Sequence, residues 1–296
     1  MSMLGFITKR VVALVVIIFV LVTMVFVLFR VMPSDPAAMV VVPRMTPELK
    51  EILGERFGLD EPMWVQYFIY LRNLLRGDMG TSFYWQGDVF DIVMSRLLPT
   101  AILTGVALII AVIIDFVAEG ALNKKSPVVN TLFFLIPFLF LGLLAIFVFA
   151  YKMDLFPVGG MKSPEVWSSG LRASLGAKIA DIAYHLILPL HIMVIWLFVG
   201  FVPLVKTLSR GVIQEKKALL PAGLTTVAAA SVIFLGAVVT ETTFSWPGFH
   251  SAFVEASLNY DYPLAQGAMI AGVVFSLVVA LLIEVFYVGL ASRAKS

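Results

Sequence analysis

Residues suited to chemistry are few in this chain, and they are set in apolar surroundings. His185 and His191 lie in one apolar run, where an imidazole can relay protons or ligate a metal. Six residues apart on a helix, they stand about 600° and so roughly 120° off one another; they do not share a face, which argues against a metal pair. Each reads instead as a hydrogen-bonding residue between helices, with His185 close to an interface. Ser231, in AAASVIF, lacks the Gly-x-Ser-x-Gly setting that presents a nucleophile on a strained turn, and no carboxylate is placed to orient a histidine, so an intramembrane protease is not supported. Asp115 and Glu119 share one helix face and could hold an ion, but at the edge of an apolar run they read as facing water or a partner. With no cysteine there is no disulfide, thiolate nucleophile or Cys-bound metal. No Gly-rich phosphate loop occurs either, so any ATP belongs to another chain.

One polar block, ETTFSWPGF at residues 241–249, interrupts two long apolar runs. Glu241, Thr242 and Thr243 close an apolar run, Trp246 and Phe249 suit a membrane interface, and Pro247-Gly248 turns the chain. By its residue types the block is an aromatic corner at one face of a membrane, leading into a short re-entrant or surface helix over 251–260.

The elements that position these residues follow from composition. Hydrophobic side chains make up 60% of the 296 residues, charged ones only 14%, and the mean hydropathy is +1.00. That leaves too little polar surface to cover a soluble globule. The net charge of +2 is not gathered into basic blocks, which gives no footprint for nucleic acid. Six runs are free of Asp, Glu, Lys and Arg: 11–29, 97–114, 126–151, 182–205, 218–240 and 262–283. A hydrocarbon core of about 30 Å needs roughly 20 helical residues, so the fold class is an all-α membrane protein with six transmembrane helices. Lys9, Arg10, Lys124, Lys125, Lys206, Arg210, Lys216, Lys217, Arg293 and Lys295 gather in the short segments that share a side with the N-terminus. The positive-inside rule then makes both termini cytoplasmic. The first run has no small-residue cleavage site after it and should be retained. The division expected is a tail and first span (1–32), an extracytoplasmic helical segment (33–95) and a five-helix transmembrane core (96–296).

Within the outer segment, TPELKEILGERFG reads as a short helix from an N-cap at Thr46 to a stop at Gly58. Trp64, Tyr67, Phe68, Leu71, Leu74 and Leu75 then fall at helical spacing before Gly77. This amphipathic helix should bury its apolar face on the membrane surface or on its own domain, or present a platform for an external partner.

Five stretches occur in one order along the chain: FGLDEPMWVQYFIYLRNLLRGDMGTSF (57–83), LFPVGGM (155–161), HLILPL (185–190), ETTFSWPGF (241–249) and LNYDYPLAQGA (258–268). Over nearly its whole length the chain resembles the membrane-spanning permease subunits of bacterial and archaeal dipeptide, oligopeptide and nickel ABC importers, which carry such landmarks in this order. The resemblance implies a multi-pass protein of the cell (inner) membrane, not an enzyme, with no cofactor of its own. It implies a second homologous permease, two ATP-binding subunits that hold ATP and Mg, and an extracytoplasmic substrate-binding protein. The cargo implied is short peptides, although similar permeases carry nickel complexes and oligosaccharides; the alternative is a secondary transporter or channel not coupled to ATP. On this reading Gly223, Thr225, Thr226, Ser231, Gly236 and Thr240 of the fifth run line the pathway or face a helix partner, Glu241, Trp246 and Pro247 form the outer mouth, and Arg210, Glu215, Lys216 and Lys217 face the ATPases. One departure stands out. The family carries a coupling helix between the fourth and fifth spans, whereas SRGVIQEKKALLP (209–221) leaves no helix-sized segment there, as in a loop-trimmed permease or a sequence from which the loop has been omitted. The expectation that follows is weak ATPase association at most and no substrate-stimulated hydrolysis.

Overall fold

In lipid a backbone must satisfy its own amides, and apolar runs without Gly or Pro clusters do so as helices. The computed structural model describes residues 3–31, 61–121, 138–168, 173–206 and 219–293. These form helices α1 (Met3–Val31), α2 (Met63–Leu75), α3 (Val89–Ala121), α4 (Phe138–Ala145), α5 (Pro164–Trp167), α6 (Leu175–Trp196), α7 (Leu219–Thr243), α8 (Phe249–Leu258) and α9 (Tyr262–Arg293). Between α2 and α3 lies a two-residue antiparallel hairpin, β1 (Thr81–Ser82) on β2 (Gly87–Asp88), which the all-α expectation did not include. Among the described residues five helices are long and apolar enough to cross a membrane: Ile7–Arg30, Val89–Val117, Leu175–Lys206, Gly223–Thr243 and Tyr262–Gly289. The third expected run survives as a shorter apolar helix, Phe138–Lys152, because 122–137 lie outside the described residues. The expected helix between Thr46 and Gly58 lies outside them too. Wider turns relax the ladder at Ile146–Lys152 and Leu197–Phe201.

The described chain forms two compact units. The first comprises residues 1–18, 96–251 and 272–296. In it α4 and α6 meet the end of α7 around Ala150, Leu188, Ile192 and Phe244. Close approach of α6 to α7 depends on Gly236: the Trp196 indole occupies the space a Cβ would need and donates to the Val232 carbonyl at 2.7 Å.

The second unit comprises residues 19–95 and 252–271. Small residues let its helices close on the hairpin, with Ala252, Ala256, Ala265 and Ala268 packed around Val89, Val93 and Leu264. α2 ends as its sequence requires, with Gly77 at φ 78° and the Asp78 amide returning to the Asn73 carbonyl at 2.9 Å. Its expected apolar face divides. Tyr67, Leu71 and Leu74 are half-buried, while Trp64, Phe68 and Leu75 stand open at 67%, 63% and 88% exposure; Gln66 and Asn73 are the buried residues. Tyr67 docks the face on α1, its hydroxyl pairing with Thr23 at 2.7 Å and its ring meeting Phe26 edge-on at 5.2 Å.

Asp261 organises this unit. Its carboxylate is almost wholly buried and accepts from the Ser82 hydroxyl at 2.5 Å, the Tyr84 amide at 3.1 Å and, as a cap for α9, the Leu264 amide at 3.3 Å. Replacing it leaves three donors unmet, each worth about 1–3 kcal/mol when buried. Asp261→Ala should therefore lower the thermal midpoint of the purified protein and open the 81–88 hairpin to protease; Asp261→Asn, which keeps one acceptor, should do so less. Equal protease resistance in both variants and the parent would contradict the assignment.

Candidate functional site

The ETTFSWPGF corner is built around one carboxylate. Glu241 lies one turn before the end of α7 and has no exposed surface. Its Oε1 accepts from the Thr100 hydroxyl of α3 at 2.7 Å and from His250 Nδ1 at 3.1 Å. Its Oε2 accepts from the His250 and Ser251 amides at 2.9 and 3.0 Å. Those amides belong to the first turn of α8, whose N-terminus carries unpaired N–H groups and positive dipole charge. Glu241 thus caps α8 from another helix, and a carboxylate at this distance suits the His250 tautomer with its proton on Nδ1. A Cβ at residue 248 would overlap the Glu241 carboxyl group, so glycine is required there.

Other bonds fix the corner on its neighbours. Trp246 is fully buried and donates its indole N–H to the Pro99 carbonyl of α3 at 2.9 Å, and the Phe249 amide reaches Thr100 Oγ1 at 3.2 Å. The chain turns at Ser245, φ 49°, with the Trp246 amide bonded back to the Glu241 carbonyl at 2.8 Å. The Phe244 carbonyl accepts from the Gly160 amide at 2.8 Å, which ties in the loop after α4. Of the three residues expected at an outer mouth, Glu241 and Trp246 are therefore internal, and Pro247 is half-buried.

At the other end of the spans two more charge clusters are buried. Arg10 of α1 is 4% exposed and sends its guanidinium to Thr225 Oγ1, Thr226 Oγ1 and Glu284 Oε2 at 2.9, 3.0 and 2.9 Å. Thr226 also donates to Glu284 at 3.0 Å. Lys206 pairs with Asp115, whose carboxylate is fully buried. Asp115 was expected to face water or a partner, and the correction has a plain cause: Lys206 sits at the end of α6's span, within reach of it. Removing one member of such a pair strands a buried charge, at a cost of about 3–5 kcal/mol.

The fifth-run candidates separate by position. Gly223 faces Ile17 and Ala13 of α1, Gly236 receives Trp196, Thr225 and Thr226 hold Arg10, and Thr240 is buried against Met193 Sδ at 3.8 Å. Ser231 alone is exposed, on an open stripe of α7 with Leu224, Ala228, Leu235 and Thr242. Its hydroxyl donates to the Val227 carbonyl at 2.9 Å, one turn back, and meets no base. Arg210, Glu215, Lys216 and Lys217 lie outside the described residues, as does the stretch expected to lack a coupling helix.

Both histidines of α6 bond carbonyls of their own helix rather than a neighbouring one, His185 to Asp181 at 2.9 Å and His191 to Ile187 at 2.7 Å. His185 is buried and His191 exposed, in keeping with their separate faces. Asp181 tethers the preceding loop, accepting from the Ser163 amide and hydroxyl at 2.9 and 2.5 Å and from the Trp167 indole at 2.8 Å. Sequence pattern did not reveal Thr100, His250, Asp181 or Glu284 as partners. The available signal was position: Thr100, Asp181 and Glu284 each lie within a turn of the end of an apolar run, where a polar residue with no obvious role invites a buried partner, and His250 opens the short helix after the Trp-Pro-Gly corner. Among the described residues no group of three His, Asp or Glu side chains could hold a metal ion.

Comparison with known proteins adds a family. A model described as binding-protein-dependent transport system membrane component, N-terminal, matches residues 3–104, and one described as binding-protein-dependent transport system inner membrane component matches 216–296. The oligopeptide transport system permease protein AppB of Bacillus subtilis (strain 168) is 26% identical over 294 residues, covering 88% of this chain and 90% of its own length. The dipeptide transport system permease protein DppB of Lactococcus lactis subsp. cremoris is 28% identical over 298 residues, 96% of each chain. The glutathione transport system permease protein GsiC of Escherichia coli (strain K12) is 26% identical over 300 residues, 96% of this chain and 97% of its own.

The corner makes a direct prediction. Glu241→Ala should cost about 3 kcal/mol or more, as a buried acceptor of four bonds is lost. Gly248→Ala should also destabilise, because the added methyl displaces the same carboxylate. The pair should be less than additive, since both act on one contact. Thermal unfolding in detergent reads this; full additivity would mean that residue 248 does not act through Glu241.

Proposed function

The chain belongs to the family of membrane-spanning components of binding-protein-dependent transport systems and is an ABC importer permease of the cell membrane, and from that premise we propose that it forms, with a second similar permease, the pathway for short peptides. Cargo is delivered by an extracytoplasmic binding protein, and two separate subunits hydrolyse ATP, holding the nucleotide and Mg; this chain contributes no cofactor and no catalytic group. The observation that carries the reading is a match over 88–96% of the chain to permeases named for oligopeptide, dipeptide and glutathione transport.

The geometry supports a permease that moves as packed helices rather than one that binds ions. Each buried ionisable side chain among the described residues is engaged inside the chain: Arg10 with Glu284, Asp115 with Lys206, and Asp181, Glu241 and Asp261 with hydroxyls, amides and imidazole. That arrangement gives a gradient-driven cation no ligand set to enter. The six-span topology with both termini cytoplasmic takes the five long helices together with Phe138–Lys152 and the apolar residues before it. Pathway or partner contacts fall on the open stripe of α7, with Ser231 its central hydroxyl, while the buried Glu241–Trp246 corner holds α8 at the outer end.

Purification from the native membrane tests the proposal. A second six-span permease and ATP-binding chains should copurify, and a homo-oligomer fully active in transport would overturn it.

A further inference from the structure

The chain leaves α6's span at Lys206 and enters α7 at Leu219, and each flank of that crossing ends in a buried charge contact. On one flank the Lys206 ammonium pairs with Asp115 of α3 and lies 5.9 Å from the centre of the Tyr287 ring. On the other, Thr226 donates to Glu284 at 3.0 Å, and Arg10 brings α1 to the same carboxylate at 2.9 Å. Glu284 and Tyr287 are three residues apart and so lie on one face of α9. Tyr287 also stacks on Phe116, the residue after Asp115, with centroids 6.3 Å apart and planes 12° from parallel. Both flanks of the crossing therefore rest on one turn of α9.

This convergence bears on how motion could enter the spans. Residues 206–217 include Lys206, Arg210, Lys216 and Lys217, and the chain ends that they join are Lys206 and α7. A push delivered between those ends is passed to the spans through the contacts the ends make. Those ends are held by paired charges away from water, which resist being pulled apart singly and so move together or exchange partners. We propose that the Glu284–Tyr287 turn of α9, through Arg10, Thr226, Asp115 and Lys206, receives nucleotide-driven motion on the cytoplasmic side and passes it to α1, α3 and α9. These are positioning residues for transport; none touches cargo. The inference rests on the permease reading above.

The chain has no cysteine, so two introduced thiols can be labelled without interference. Spin labels at Leu282→Cys and Val117→Cys, on side chains 63% and 66% exposed, report the distance between α9 and α3. The measurement is made on the complex purified with its partner chains, without nucleotide and then with ATP and vanadate. The parent complex should show a nucleotide-dependent change in the distance distribution. In Glu284→Gln and Asp115→Asn complexes that hydrolyse ATP at the parent rate, the shifted population should fall about tenfold, the scale of a typical coupling between sites. The double exchange Arg10→Glu with Glu284→Arg should restore it, which separates lost coupling from lost folding. An undiminished shift in both single variants overturns the proposal, as does a parent complex that retains ATPases and shows no shift. Absence of any ATP-binding chain from the complex instead removes the permease reading itself.

Discussion

A charge removed from water must be matched by donors, acceptors or an opposite charge, because the desolvation penalty of several kcal/mol per ion is comparable to a domain's whole net stability of about 5–15 kcal/mol. This constraint organises the chain. Glu241 collects two amides, a hydroxyl and an imidazole; Asp261 collects a hydroxyl and two amides; Asp181 collects an amide, a hydroxyl and an indole. At the opposite ends of the spans the solution is ionic, with Arg10 on Glu284 and Lys206 on Asp115. Each carboxylate joins segments distant in sequence, so the matching of charge also fixes which helix ends meet.

The spans themselves were legible because their signal is local. Length without charge located five long helices, with ends off by at most eight residues, and the short helix after the Trp-Pro-Gly corner came out two residues earlier than its expected start. The position of Gly77 marked the end of α2 for a reason the backbone bears out. Pairings were not legible, since nothing local in the sequence says that Arg10 must find Glu284 or that Asp115 must find Lys206. Both acids stand at the edges of apolar runs, where water and a buried partner are equally consistent with hydropathy. The facing of α2 was legible only in part, for a related reason. An amphipathic pattern identifies two faces, and which one the chain covers depends here on Tyr67 meeting Thr23 and Phe26.

For a transporter the distribution of these contacts matters more than their number. Among the described residues the buried charged groups hold helices together, tying the ends of the spans, while the middle of α7 presents Ser231 and its neighbours on an open face. On the proposed reading, nucleotide hydrolysis and choice of cargo are left to other chains. Such a division fits a corner at 241–249 that is rich in residues that look reactive and yet contains no arrangement of nucleophile and base.

On the proposed reading, transport through this protein is driven by nucleotide and not by an ion held within its spans. Uptake of a labelled peptide into liposomes bearing the assembled complex and its binding protein, with all ion gradients collapsed, tests it most directly. Uptake that requires ATP on the cytoplasmic side and is indifferent to ionophores is the predicted result. Uptake sustained by a proton or sodium gradient without nucleotide would contradict it.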